Sequence, residues 1–392
     1  MGRIVIIGSS AAGLAAVDRI RELDPDVPLL LITAEKGQPY SRLRLPEYAA
    51  ALIGGEELLN RPKDYYRQKG LEVISGRKVV AVHPGDQRVK LDNGEAIQYT
   101  RLLIASGSTP VDLPLSGTRL PGVFHLWSRQ DAEAIRKYLP EVKNVAVIGA
   151  GLIGLKTAEA LVRHGVNIYL VEREKQVLPS QLDEEAAQIL QRRLEEAGII
   201  TYCGRRVTAI AGTKSVEGII MEDEFLPCQM VLLTAGVRPN ISFLEGTGIK
   251  IKKGIVVDRH MATSVAGIWA AGDVVESIDI VRRVNDVNAV WYNAVRQGRI
   301  AAENIMDVPS IYYGSISMNS FHLFGLNGVA LGDSTGRYTA AGKSHIYMKT
   351  DDGIYEKAVF TSEGKRMTGY LALGKIDKAG YAYYRILRDN RD

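Results

Sequence analysis

Two glycine-rich turns are the parts of this 392-residue sequence whose residue types and spacing could do chemistry. The first is GSSAAG at residues 8–13, and the second is GAGLIG at residues 149–154. Each follows a short apolar strand and opens a helix-forming stretch. Such a turn lets a pyrophosphate approach the backbone, and the N-terminus of the following helix faces the anion. The two turns therefore predict two nucleotide sites.

Three positions in each turn have separate tasks. The first allows the tight turn, the second lets the backbone approach the phosphates, and the third lets helix and strand pack closely. These positions are Gly8, Ser10 and Gly13 in the first copy, and Gly149, Gly151 and Gly154 in the second. Neighbouring candidates are Ala11, Ala12, Leu152 and Ile153. Tight helix–strand packing alone could explain one such pattern, but repetition of the whole unit favours nucleotide binding.

A carboxylate ends the second strand of each copy, at Glu35 in LLLITAE and at Glu172 in NIYLVE. Both acids stand near the spacing after the first glycine that a nucleotide-binding β-α-β unit requires. An acid there accepts hydrogen bonds from ribose hydroxyls and repels a ribose 2′-phosphate. Glu172 therefore favours NADH over NADPH, with an ordinary strand-end acid as the alternative.

The apolar pattern predicts the elements that position these residues. After the first turn, Leu14, Val17, Ile20 and Leu23 recur every three residues, which is typical of an amphipathic helix. This helix should end before Pro25, because proline disfavours helical backbone in the preceding residue. The order strand, helix, strand, found twice, predicts an α/β fold with Rossmann-like domains.

Composition bounds the class of protein. A net charge of +4 is small for this length and does not favour nucleic-acid binding. No apolar run approaches the ~20 residues of a membrane helix, and no basic leader precedes the first strand, so we expect a soluble, cytoplasmic protein without membrane contact. Cys203 and Cys228 lack the spacing of metal ligands, which predicts no metal site. Buried inert thiols are expected, with a redox pair as the alternative.

Three further stretches extend the pattern along nearly the whole chain: LLIASGSTP at 102–110, VLLTAGVRPN at 231–240 and TSVAGIWAAGDV at 263–274. With the two turns they resemble the pyridine nucleotide-disulfide oxidoreductases, flavoproteins with two dinucleotide-binding domains. That family includes NADH oxidases, rubredoxin and ferredoxin reductases, and the flavin end of NADH-dependent nitrite reductases. The resemblance implies FAD and NAD(H) as cofactors and hydride transfer between them.

The resemblance also assigns residues to the flavin site. Asp273 corresponds to the acid that binds the ribityl chain, and Gly272 allows close approach. Arg42 resembles the arginine that contacts the flavin diphosphate, and Val79 the position whose backbone contacts adenine. Further implied contacts are Ser106, Gly107 and Gly236 in the two crossover stretches. The alternatives are a plain turn for the Gly-Asp pair, a surface arginine and a core valine.

Three residues are implied near the reacting rings. The stretch at 288–305 resembles the helix that faces the flavin pyrimidine, which places Trp291 and Tyr292 near the ring. Trp291 could equally be a core aromatic. Lys156 stands where relatives often carry glutamate, and we hypothesise that it favours anionic reduced flavin. A solvent-facing helix lysine is the alternative. Lys156 and Trp291 are the candidate catalytic residues.

The loop PYSRLRLPEY at 39–48 departs from the family pattern. Members that use a redox cysteine carry it in this loop, where the nearest position here is Leu43, and the first cysteine of the chain is Cys203. The sequence therefore predicts that disulfide chemistry is absent. A reduced flavin can instead pass single electrons to an iron-sulfur or rubredoxin-like acceptor.

The repeat and the resemblance together predict three domains. Residues 1–111 and 236–310 should bind FAD, residues 112–235 should bind NAD, and residues 311–392 should form a small α+β domain used in dimer or partner contacts. We expect an NADH-dependent flavoprotein that acts on rubredoxin, ferredoxin or an iron-sulfur subunit, alone or in a larger complex. An NADH oxidase that reduces oxygen and a subunit that holds FAD without turnover are the alternatives.

Overall fold

The computed structural model describes residues 2–222, 224–339, 345–351 and 354–391. Up to residue 111 the elements are β1 (Ile4–Ile7), α1 (Ala11–Leu23), β2 (Leu29–Thr33), α2 (Leu45–Ala49), α3 (Gly55–Leu58), α4 (Tyr65–Gln68), β3 (Glu72–Ser75), β4 (Val79–His83), β5 (Arg88–Leu91), β6 (Ala96–Gln98), β7 (Arg101–Ile104) and β8 (Ser108–Pro110). From 112 to 235 they are β9 (Val123–His125), α5 (Arg129–Tyr138), β10 (Asn144–Ile148), α6 (Leu152–Val162), β11 (Asn167–Glu172), α7 (Glu184–Glu196), β12 (Ile200–Cys203), β13 (Val207–Ala211), β14 (Gly218–Met221), β15 (Glu224–Pro227) and β16 (Met230–Leu233). From 236 onward they are β17 (Val237–Pro239), β18 (Ile255–Val256), β19 (Ile268–Ala270), β20 (Val275–Asp279), β21 (Val284–Asp286), α8 (Trp291–Ile305), β22 (Met318–Leu323), β23 (Leu326–Gly332), β24 (His345–Asp351), β25 (Ile354–Phe360), β26 (Met367–Leu373) and α9 (Ala379–Asn390). Short 3-10 helices lie at Arg42–Arg44, Leu139–Glu141 and Ser242–Leu244.

The first sheet is parallel, with the strand order β19-β7-β1-β2-β3. Every residue of β1 is buried, as expected for a parallel strand covered on both faces. β19 joins this sheet from far along the chain, and α8 packs against α1. The predicted end of α1 is confirmed, because the helix stops at Leu23 and Asp24 is extended.

The second sheet repeats the arrangement, with the order β12-β11-β10-β16-β9 and parallel pairing throughout. An antiparallel meander, β13-β14-β15, accompanies it. The chain passes between the two sheet regions through β8 and β17, which pair antiparallel. The predicted α/β fold with two Rossmann-like units is confirmed. The predicted domain boundaries stay a prediction.

A third sheet, antiparallel with the order β22-β23-β26-β25-β24, packs against α9. Its β25 is fastened to the second sheet region through Asp183, the N-cap residue of α7. The Tyr355 hydroxyl donates to Asp183 Oδ2 over 2.6 Å, and Lys357 Nζ lies 2.7 Å from the same oxygen. Across the described parts of the chain, no helix combines the length and apolar character needed to cross a membrane.

Candidate active site

A cavity of about 550 Å³ opens where β1, β7 and β19 end. Ligands bind beyond the carboxyl ends of parallel strands, because loops from separate strands converge there. The predicted site residues that line it are Gly8, Ser10, Ala11, Ala12, Glu35, Arg42, Ser106, Gly107, Leu152, Ile153, Lys156, Gly272, Asp273 and Trp291. The fold therefore gathers most of the predicted flavin residues around one space.

The first glycine turn has the shape that a pyrophosphate needs. Gly8 has a φ of +109°, and a Cβ there would lie 2.1 Å from the Ala105 carbonyl oxygen. A Cβ at Gly13 would lie 1.9 Å from the Gly8 carbonyl oxygen. Ser10 is the N-cap residue of α1, and its side chain does not cap the helix. The N-terminus of α1 therefore stays available to an anion.

A buried polar atom also fits a ligand in this cavity. Gln38 lines it, and its Oε1 is buried without a hydrogen-bond partner in the described structure. An acceptor left unpaired in a buried position costs free energy that a donor on a bound molecule would recover. The turn and this acceptor fit a dinucleotide such as FAD.

Glu35 is held by the loop that follows it. Both Arg42 and Tyr40 donate to its carboxylate, and Arg42 also donates to the Trp127 carbonyl. The Arg42 guanidinium lies 5.1 Å from the centroid of the Trp127 ring. Burial, together with the neighbouring Glu35, raises the pKa of the Tyr40 phenol despite the charge of Arg42. The acid expected at the ribose and the arginine expected at the diphosphate of FAD are thus joined directly.

Asp273 lies at the end of the cavity beyond β19. Burial raises the pKa of its carboxyl, although a hydrogen bond of 3.0 Å from the Ser108 hydroxyl and the charge of Arg42 oppose that rise. Gly272 has a φ of +87°, and its N–H donates to Gln297 Oε1 over 2.8 Å. Gly272 and Asp273 therefore line the cavity and do not form a plain surface turn.

The mouth of the cavity is lined by exposed apolar side chains. Leu43, Ile153 and Trp291 are 70%, 42% and 59% exposed. Lys156 also lines the cavity, and its Nζ lies 3.5 Å from Glu159 Oε2. Ile153 and Lys156 belong to α6, the helix that follows the second glycine turn, so the two nucleotide units meet at this mouth.

The glycines of the second turn lie outside the cavity lining, and their backbone repeats that of the first turn. Gly149 has a φ of +109°, and a Cβ at Gly154 would lie 2.1 Å from the carbonyl oxygen of Gly149. A Cβ at Gly151 would meet nothing within 4 Å. The Glu172 carboxylate accepts the N–H of Ala150 over 2.7 Å and that of Glu174 over 2.9 Å. This turn is open and fits a second dinucleotide.

Three predicted residues have other surroundings. Val79 is buried in the hydrophobic core that surrounds the first sheet, and its neighbour Lys78 lines the cavity instead. Tyr292 is absent from the lining, and its ring packs edge-on against Tyr383 with 5.7 Å between the ring centroids. The Gly236 carbonyl accepts the N–H of Val111 at the crossover. Their roles toward cofactors stay predictions.

The cysteines have the character of inert thiols. Burial raises the pKa of Cys203 to about 11, with a contribution from Glu172, and that of Cys228 to about 12. Both are free. Among the described residues, no group of His, Cys, Asp and Glu side chains could hold a metal ion.

Tyr40, Trp127 and Gln297 contact candidate site residues, and the sequence patterns did not single them out. Tyr40 had a usable signal, because it stands two residues before Arg42 in the same loop. Trp127 contributes a backbone carbonyl, and Gln297 holds Gly272 from a separate helix. Neither contact has a local sequence signature.

A flavin cavity joined at its mouth to a second dinucleotide turn defines a flavoprotein that exchanges electrons with a nicotinamide nucleotide. Comparison with known proteins agrees, since the model of the family described as pyridine nucleotide-disulphide oxidoreductase matches residues 2–298. The chain belongs to this family. It is an NAD(P)H-dependent oxidoreductase with FAD as cofactor, which confirms the predicted class and cofactors.

Individual relatives differ in the names they carry. An NADH oxidase of Methanocaldococcus jannaschii is 35% identical over 79% of this chain and 71% of its own length. The epsilon subunit of an NADH-dependent phenylglyoxylate dehydrogenase from Aromatoleum evansii is 28% identical over 98% and 91%. The structure of an NAD-dependent persulfide reductase from A. fulgidus superposes with a TM-score of 0.92 at 26% identity, covering 99% of this chain and 77% of the other.

Proposed function

We propose that this chain moves electrons from NADH through FAD to a protein electron carrier or an iron-sulfur partner subunit. The observation that carries the proposal is the cavity mouth, which is lined by exposed apolar side chains. Among them is Leu43, the position nearest to the redox cysteine that the family resemblance implies for this loop. Cys203 and Cys228 lie outside the cavity lining, and burial raises the pKa of both thiols, so we expect no thiol relay between the flavin and its acceptor. We therefore expect electrons to pass from bound FAD to the acceptor directly at that mouth.

The chain's own residues bind and orient. The N-terminus of α1 and Arg42 would hold the diphosphate, Glu35 the adenosine ribose, and Asp273 the ribityl chain. Glu172 would hold the ribose of NADH and disfavour NADPH. FAD supplies the capacity to accept a hydride and release electrons one at a time. One relative, the epsilon subunit of an NADH-dependent phenylglyoxylate dehydrogenase, aligns with 98% of this chain. This similarity supports a role for the chain as one subunit of a larger complex.

Anaerobic mixing with NADH tests the first half of this function. We expect the visible flavin absorbance to be bleached within the mixing experiment, because the two nucleotide units meet at one mouth. Flavin that stays oxidised would contradict the proposal and favour the alternative of a subunit that holds FAD without turnover.

Reoxidation of the reduced protein tests the second half. We expect rubredoxin, ferredoxin or a co-purified iron-sulfur subunit to reoxidise the flavin at least about tenfold faster than dissolved oxygen. Fast reaction with oxygen and no turnover with carriers would instead establish an NADH oxidase, as one relative is named. Contacts through the third sheet and a cytoplasmic location stay predictions.

A further inference from the structure

Glu159 is a buried carboxylate that touches the flavin site only through another residue. It lies on α6, is 7% exposed, and its Oε2 is 3.5 Å from Lys156 Nζ. Its Oε1 accepts the N–H of Phe324 over 2.7 Å. Arg163 Nη2 lies 3.7 Å from the same Oε1. Glu159 therefore joins a cavity-lining lysine to the backbone of the third sheet.

The donor of that hydrogen bond has a fixed position. Phe324 and Gly325 form the two-residue turn between β22 and β23, and Leu323 pairs with Leu326 across it. The φ values of the turn residues are +49° and +76°, as in the hairpin turn that matches the twist of its strands. Because the hairpin sets the direction of the Phe324 N–H, Glu159 has one favoured position.

A buried carboxylate limits how far the Lys156 ammonium can reach into the cavity. Its charge attracts the ammonium group and holds it against α6, and burial strengthens that attraction. Without that attraction the ammonium could extend further into the cavity. Arg163 is 62% exposed at its side chain and absent from the lining, so water screens its charge.

We propose that Glu159 is a positioning residue that sets the reduction potential of the bound flavin by acting through Lys156. Reduction adds negative charge to the flavin, and a cation beside it favours the reduced form. The carboxylate of Glu159, fixed by the hairpin at residues 323–326, limits that effect. The inference deepens the proposed function and rests on it, because FAD must lie beside Lys156 in the cavity.

The test is the midpoint potential of the FAD-loaded full chain, measured by dithionite titration against a reference dye without NADH. Glu159→Gln keeps an acceptor for the Phe324 N–H and removes the charge. We expect its potential to rise by about 30 mV, a tenfold change in the two-electron equilibrium. Lys156→Gln should lower the potential. Arg163→Gln, the matched control on the same helix, should change it by a smaller amount.

A double-mutant cycle separates action through Lys156 from a general structural effect. In the Lys156→Gln background, Glu159→Gln should add no further shift. An unchanged potential in Glu159→Gln, or an equal shift in both backgrounds, would overturn the inference. If Glu159→Gln does not retain FAD, Glu159→Asp serves as the second variant, because it keeps the charge on a shorter side chain. Its midpoint potential should rise by less than about 30 mV. A fall in the potential of Glu159→Asp would overturn the inference. Failure of NADH to bleach the wild-type flavin would reject the proposed function, while dithionite titration would still decide the role of Glu159.

Discussion

The two glycine turns share a backbone but differ in their surroundings. In both, the first glycine has a φ of +109°. A Cβ on the third glycine would lie 1.9 Å from the first glycine's carbonyl oxygen in one turn and 2.1 Å in the other. The first turn faces a cavity that remote segments complete, whereas Gly151 in the second faces open space. Identical local geometry therefore leads to an enclosed site and an open one.

The acids that follow the turns show the same contrast. Glu35 is held by the side chains of Tyr40 and Arg42 from the loop that follows it, and Arg42 also donates to the remote Trp127 carbonyl. Glu172 is held by backbone N–H groups of its own unit, those of Ala150 and Glu174. A cofactor that stays bound gains from enclosure, and a substrate that must leave each cycle gains from an open site. We infer that the first turn serves resident FAD and the second serves exchanging NADH.

The largest expected effect comes from Gly8→Ala. The positive φ and the clash with Ala105 cost about 3 kcal/mol or more, so flavin content should fall below about a tenth of wild type. Gly151→Ala is the matched change in the second turn and should keep full flavin while raising the KM for NADH about tenfold, or about 1.4 kcal/mol. Absorbance ratios and steady-state kinetics measure both. Equal flavin loss in the two variants would contradict the contrast between the turns.

Asp273→Asn should weaken FAD binding about tenfold to a hundredfold, because a charged hydrogen-bond acceptor is lost. Burial raises the pKa of this carboxyl, so its contribution to the stability of the FAD-free chain is lost as pH rises through that pKa. The variant should therefore unfold at higher temperature than wild type at neutral pH.

Calorimetry of the FAD-free chain from acid to neutral pH measures this difference. Ser108→Ala serves as the control, since removing the hydroxyl that stabilises the carboxylate should make the loss of stability with pH larger. A neutral-pH unfolding temperature below wild type in Asp273→Asn would argue against the expected direction.

Glu172→Gln should change the preference between nucleotides without changing flavin content. Loss of the charge should raise the KM for NADH about fivefold, near 1 kcal/mol, and ease the repulsion of NADPH. Glu35→Gln, the corresponding change in the first unit, should lower flavin content and leave the NADH-to-NADPH ratio unchanged. Steady-state kinetics with each nucleotide distinguish the two variants. A lower flavin content in Glu172→Gln would contradict the assignment of the first unit to FAD and the second to NADH.

The smallest effect should come from the thiols. With the pKa of Cys203 raised to about 11, roughly one molecule in a thousand is a thiolate at pH 8. Iodoacetamide at that pH should leave NADH-dependent turnover within about twofold of untreated protein, and Cys203→Ser should match it. Rapid inactivation by the reagent would show that sulfur takes part in the reaction.

The sequence by itself determined the local parts of both sites. The turns at residues 8–13 and 149–154 were predictable because glycine, small residues and a following helix shape a phosphate site within a few residues. Arg42 and Asp273 were found through family resemblance, and the structure places both in the cavity lining. The absence of a redox cysteine in the loop at 39–48 could also be read directly from the chain.

Only the tertiary structure decided which parts meet. Arg42 reaches the Trp127 carbonyl across 85 residues, and Glu159 accepts a hydrogen bond from Phe324 across 165. Neither pair has a periodic or spaced pattern, because such contacts arise from the packing of whole sheets and helices against one another. The same cause separates an enclosed site from an open one, since the two turns are alike and only the elements packed around them differ.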